Sequence, residues 1–230
     1  MLQELDQNLW VVPAPLRVFG LEVGTRMTVV RLHDGGLWLH SPVSLSNELR
    51  LALSDLGEVK AVVAPNCYHH LFVKQYVEAY PHVLLFGAPG LEKKRRDMTF
   101  HKIIDNHGEA IWASDLEHLV TRGAPSMNEV VFFHPLSQTL FLTDICVNFP
   151  ATNSFLLRLY RRYVQDYNAK FAMARLIKFM VRDHKAFRAS CELILQWDFD
   201  RVTVTHGQVL EAGGREAFRK AVGWVMEEVT

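Results

Sequence analysis

VKAVVA, residues 59–64, runs directly into Pro65-Asn66-Cys67-Tyr68-His69-His70. A short, uninterrupted apolar run of this kind reads as a strand buried on both faces of a sheet. Pro65-Asn66 then breaks the strand with a turn. The loop beyond carries two adjacent histidines, which makes it the first candidate for chemistry in the chain.

Upstream, RMTVVRL (residues 26–32) and LWLH (37–40) flank Asp34-Gly35-Gly36, a hairpin signal between two β-rich runs. Leu9 to Val12 reads as the first strand. Pro42 to Leu56 reads as a helix, with Leu45, Leu49, Leu53 and Leu56 at helical spacing and Gly57 as its stop. Downstream, Leu71 to Tyr80 reads as a helix, Val83 to Phe86 as a strand and Leu91 to Arg96 as a short helix. Residues 103–120 are less regular. Val130 to Phe133 and Thr139 to Thr143 read as paired strands, and Asp144 follows the second. From Ala151 to Lys185 neither Gly nor Pro occurs, which reads as two or three helices, continued from Phe187 to Trp197. Arg201 to Thr205 (RVTVT) is a strand ending at His206-Gly207, and Arg215 to Val229 is the last helix. Strands with local hairpins followed by alternating helices and strands define an α/β chain with mixed sheets.

Composition narrows the functions. Hydrophobic residues make up 49% of the 230, enough for a large core. Lys+Arg and Asp+Glu are both 25, so the net charge is zero and no nucleic-acid or acidic-membrane partner is implied. Lys93-Lys94-Arg95-Arg96 reads as a solvated helix end. The three cysteines, Cys67, Cys146 and Cys191, form no CxxC pair, which argues against a zinc knuckle or a disulfide framework and for a reducing, cytoplasmic setting. The N-terminus lacks a basic segment followed by an apolar run, so no signal peptide is expected, and no transmembrane stretch of about 18 apolar residues occurs.

Three strand ends carry metal-ligand chemistry: His69-His70 after VKAVVA, Asp144 after TLFLT and His206 after RVTVT. Carboxyl ends of strands gather where ligands bind in α/β sheets, and imidazoles with carboxylates are the donors that zinc and iron take. Each position alone also has a plain reading: a loop histidine pair, a capping Asp and a turn histidine.

Together these residues resemble the metallo-β-lactamase superfamily, and within it the branch of DUF4336-like proteins, over most of the chain. The family signature T-H-x-H-x-D-H is similar to Ala64 through His70. The strand ending in Asp-x-Gly is similar to LWLHSP, with His40 or Ser41 in place of the Asp. G-H-T-P is similar to Gly123-Ala124-Pro125-Ser126, the strand before the metal-bridging Asp to FLTD at Asp144, and the closing His-Gly to His206-Gly207. The resemblance implies an αββα sandwich of two mixed sheets flanked by helices, a single domain over residues 1–230 with a helical insertion at about 151–197. It also implies that one of two metal sites is lost, because Pro65, Cys67 and Ala124 stand on its ligands. The other keeps His69, His70, Asp144 and His206. A register shifted by one residue instead puts Asn66 and Tyr68 on the first two histidines and His70 on the Asp; the unshifted one is preferred for its four donors.

The expectation is therefore a hydrolase-like protein holding one divalent ion, zinc before iron, with Asn66 and His40 as cleft residues. The alternative is a scaffold of the same fold, without metal or catalysis, that binds a small molecule or a protein. Redox chemistry ranks behind both, since no nucleotide or flavin fingerprint is present. The aromatic and basic stretch Leu156 to Phe179 reads as a cap over the site or a homodimer contact rather than a nucleic-acid surface.

Overall fold

The computed structural model describes residues 1–18, 20–150 and 170–227. Its larger sheet has seven strands in the order β1 (Gln3–Asp6), β2 (Leu9–Ala14), β5 (Thr25–Arg31), β6 (Leu37–His40), β7 (Val59–Ala64), β8 (Leu84–Gly87) and β9 (Lys102–Ile103). The first four pair antiparallel, and β6 to β9 run parallel. The smaller sheet has the order β10 (Glu117–Val120), β11 (Val130–His134), β12 (Thr139–Leu142) and β15 (Arg201–Val204), with only the β12–β15 pair parallel. Two short antiparallel pairs, β3 (Arg17–Val18) with β4 (Leu21–Glu22) and β13 (Cys146–Asn148) with β14 (Phe171–Met173), complete the described strands.

Period-two alternation along each strand builds the layers. Trp38, Ala61, Val63 and Phe86 point from the larger sheet to meet Val130, Phe132 and Phe141 of the smaller one, forming an aromatic inter-sheet core. Their neighbours Leu39, Val62, Ala64 and Leu85 point the other way, against α1 (Asn47–Leu56), α2 (Val73–Ala79) and Leu91 of α3 (Leu91–Lys94). On the far face of the smaller sheet, Val131, Phe133, Leu140, Leu142 and Val204 pack against Phe187 and Ile194 of α5 (His184–Ile194) and Phe218 and Val222 of α6 (Gly214–Met226). The layers are helix, sheet, sheet, helix, as the αββα expectation has it.

Local chemistry sets the element ends. Ser46 caps α1 by accepting the Leu49 N–H, so the helix starts at Asn47 and not at Pro42. Within the stretch read as two or three helices, Phe171–Met173 is instead β14, and the helices among the described residues are α4 (Arg175–Met180) and α5. Residues 151–169 of the expected insertion lie outside the described residues. Among the described residues no helix is long and apolar enough to cross a membrane.

Candidate metal centre

Strands β12 and β15 are parallel neighbours, so their carboxyl ends lie side by side, and the Thr205 hydroxyl ties them by donating to the Thr143 carbonyl at 2.9 Å. Asp144 and His206 follow one residue beyond Thr143 and Thr205. His69 arrives from the loop after β7. Its Nε2 lies 3.3 Å from both Asp144 carboxylate oxygens, and His206 Nε2 lies 3.5 Å from Asp144 Oδ1. Among the described residues this is the group of three His, Cys, Asp or Glu donors able to hold an ion, with all ligand atoms within 4.8 Å of one another. In a tetrahedral zinc site with bonds of about 2.1 Å, donors sit about 3.4 Å apart, so the two nitrogen–carboxylate separations fit a divalent ion.

Each imidazole is oriented by its other nitrogen. His206 Nδ1 is 2.8 Å from the Gly24 carbonyl, which only accepts, so Nδ1 carries a proton and, in the neutral ring, Nε2 is the nitrogen left to coordinate. His69 Nδ1 is 2.9 Å from the Ser41 hydroxyl. Ser41 is buried and holds a left-handed backbone (φ 53°), unusual for a residue with a side chain and the kind of local strain found at functional sites. Burial opposes charge on Asp144, but the imidazoles of His69 and His206 outweigh it and hold its carboxyl well below the usual range. Burial likewise opposes charge on His206, while the Asp144 carboxylate, helped by the Gly24 carbonyl, raises its pKa.

The fourth expected ligand does not join them. His70 Nδ1 faces the Arg95 guanidinium at 3.0 Å, and Arg95 also donates to the His70 carbonyl. Burial, with Lys94 and Arg95 nearby, drives its pKa to about 4. The cause of the divergence is Asn66, whose Oδ1 accepts the N–H groups of both Tyr68 and His69 at 2.8 Å. That Asx turn aims His69 inward and leaves His70 on the other side of the chain. Of the four expected ligands, His69, Asp144 and His206 thus come together, and His70 stands apart on the cavity wall. Asn66 faces the cluster, donating to Asp144 Oδ2 at 2.7 Å and to Thr143 Oγ1 at 2.9 Å, but its hydrogen bonds are spent on holding the loop.

His40 is not a cleft residue. Alternation after Trp38 turns it into the inter-sheet core, where it stacks on Trp38 and meets Phe132 edge-on. Neither ring nitrogen has a hydrogen-bond partner, and burial pushes its pKa down to about 3. The basic run is also more than a solvated end: Lys94 donates to the Cys67 carbonyl at 2.6 Å, and Arg95 holds Asp97 as well as His70.

Pro65, Cys67 and Ala124 gather where the resemblance puts the lost site. The Cys67 N–H donates to the Met127 carbonyl, the Met127 N–H to that of Ala124, and the Val130 N–H to that of Pro65. They offer no donor set: Ala124 faces the apolar core, and burial raises the Cys67 thiol pKa.

Glu129 is the functional residue that sequence reading misses. It is fully buried, and its carboxylate accepts the backbone N–H groups of Thr143, Asp144 and Ile145 at 2.7, 2.8 and 3.1 Å. Burial and the nearby Asp144 charge raise its pKa, against these hydrogen bonds. The signal was a lone carboxylate abutting the apolar VVFF strand, which is unusual for a residue that cannot be buried without partners.

A sequence profile described as "Domain of unknown function (DUF4336)" matches residues 6–165. No curated protein matches the chain. Similar solved structures include a metallo-β-lactamase from Pontibacter korlensis (14% identity, TM-score 0.67, covering 99% of this chain and 99% of that one). They also include FIM-1 from Pseudomonas aeruginosa in its mono-zinc form (10%, TM-score 0.65, 99% and 95%) and a metallo-β-lactamase from Hirschia baltica (13%, TM-score 0.64, 98% and 96%). At these identities the likeness is one of fold.

Proposed function

Since the chain belongs to the DUF4336 family and has the metallo-β-lactamase fold, we propose that it is a hydrolase using one divalent ion, zinc before iron, held by His69, Asp144 and His206. The observation that carries this reading is the orientation of the donors. His206 Nε2 faces Asp144 because Nδ1 donates to the Gly24 carbonyl, and His69 Nε2 faces it with Nδ1 hydrogen-bonded to the Ser41 hydroxyl. Three protein donors with a further position open to a cavity is the ligand count of catalytic rather than structural zinc. When bound, the ion would supply Lewis acidity for acidifying water and polarising a carbonyl. The chain's own residues hold and orient: Asp144 is fixed by Glu129, His69 by Asn66 and Ser41, and the two strand ends by Thr205. A cytoplasmic setting belongs to the same reading, supported by three buried free thiols.

Metal analysis of protein purified without chelator or affinity tag, followed by zinc titration against a chromophoric chelator, tests it. One zinc per chain, weakened at least 100-fold by His206→Ala, is the expected result. Equal affinity of parent and variant overturns the reading in favour of a scaffold, for which the loss of donors at Pro65, Cys67 and Ala124 is the supporting observation.

A further inference from the structure

The cluster forms the polar end of a cavity of about 530 Å³, a size that suits a small organic ligand. Most of the rest of the described wall is apolar, with Thr25, Tyr68, His70 and Lys94 as its other polar members. Val18 and Val23 come from around the β3–β4 hairpin, Val147 and Phe149 from β13 and the residue after it, and Ile177 and Met180 from α4. Leu71 and Leu176 also line it while 60% and 58% exposed, so the apolar lining continues to the surface. Among the described residues the lining holds no Arg and no Glu, and Asp144 is its carboxylate. Lys94 is its one lysine, and that ammonium is engaged by the Cys67 carbonyl and lies 4.9 Å from the centre of the Tyr68 ring. Nucleotides and sugar phosphates need an arginine fork or several free cations, and among the described residues the wall supplies neither. It rewards apolar surface instead, at the usual free energy per buried methylene.

We propose that the cavity takes the apolar tail of a carboxylic ester, an acyl chain of medium length lying between the β3–β4 hairpin and α4 with its carbonyl at the His69–Asp144–His206 end. The ester rests on the hydrolase reading above; the apolar tail rests on the cavity alone. The reaction consumes one water. Its oxygen forms the new bond to the acyl carbon and the bond from that carbon to the alcohol oxygen breaks. The alcohol leaves with one proton, and the other goes to solvent as the acid ionises.

Calorimetric titration of metal-free protein with straight-chain carboxylates from butanoate to decanoate tests the tail site without turnover. Affinity should rise roughly fourfold per added methylene until the cavity is filled. Leu176→Asp, at an exposed position that tolerates charge, should flatten that rise near the mouth, and Val18→Trp should move the optimum to shorter chains. Affinity that is independent of length, or adenosine monophosphate binding more tightly than decanoate, overturns the proposal. Zinc-loaded protein is then assayed on nitrophenyl esters from acetate to decanoate. Length-dependent binding without hydrolysis overturns the hydrolase reading and leaves the tail site standing. Hydrolysis with flat binding does the reverse.

Discussion

The carboxylate of Glu129 accepts the backbone N–H of Asp144 at 2.8 Å, so a fully buried acid sets the position of the acid that faces the cavity. Because the same carboxylate also holds the N–H groups of Thr143 and Ile145, Glu129→Ala leaves three buried donors without a partner. Each costs about 1–3 kcal/mol, so denaturant unfolding should show a loss on the order of 3 kcal/mol or more. Glu129→Gln keeps the shape but presents an amide donor to some of those N–H groups. It should fold and bind zinc about 10–100-fold more weakly, the usual effect of disturbing the support of a ligand. Unchanged zinc affinity in Glu129→Gln would show that Asp144 does not depend on Glu129.

His69 and His70 are adjacent in sequence and separate in role. Zinc titration of the two alanine variants should give opposite results. His69→Ala removes a donor 3.3 Å from Asp144 and should weaken binding at least 100-fold. His70→Ala removes a ring that faces Arg95 and should leave the zinc dissociation constant within about threefold, below 1 kcal/mol. A large loss in His70→Ala would restore the four-ligand site.

Strands β7, β12 and β15 were legible because each is a compact apolar run with ligand chemistry just beyond its end, and that alone located His69, Asp144 and His206. Strand β14 was not, because Phe171–Met173 lies in a stretch without Gly or Pro. Its extended form comes from pairing with Cys146–Asn148, a partner no local pattern reveals. The same holds for Glu129, whose role depends on a loop that starts 14 residues downstream. The choice between His69 and His70 was hidden for another reason: the side chain of Asn66 decides it, and strand periodicity says nothing inside a turn. His40 was misplaced although its strand was read correctly. The alternation that puts Trp38 between the sheets puts His40 there too.

That burial gives the fold a pH liability. His40 has a folded pKa of about 3 against an ordinary value near 6.5. A histidine whose pKa is depressed on folding contributes stability above its unfolded pKa, and that contribution is lost as pH falls from about 6.5 toward 3. Between pH 7 and 4.5 the linkage amounts to about 2–3 kcal/mol. His40→Phe fills the same aromatic niche, removes two unpartnered nitrogens and has no proton to take up. Urea unfolding at the two pH values should therefore show stability falling less in His40→Phe than in the parent, by about that amount. An identical acid slope in both proteins would mean that other groups, His70 among them, carry the whole effect.

Gly207 is fixed by the backbone on which His206 sits. Its φ of 107° belongs to a region that side chains rarely adopt, and a Cβ there would overlap the Asn148 carbonyl. That carbonyl is in use, accepting the Gln208 N–H at 2.7 Å, while the Asn148 N–H donates back to His206 at 3.1 Å. The short parallel bridge of Asn148 and Gly207 thus locks the chain just after His206. Gly207→Ala must either strain this bridge or open it. A cost of roughly 2–3 kcal/mol is expected from the φ and the overlap together. Opening the bridge also moves His206 away from the Gly24 carbonyl that sets its tautomer. Zinc affinity should then fall about tenfold or more even under conditions where the variant is fully folded by circular dichroism. If folded Gly207→Ala binds zinc as the parent does, the turn is serving the fold alone and His206 is held by Gly24 without it.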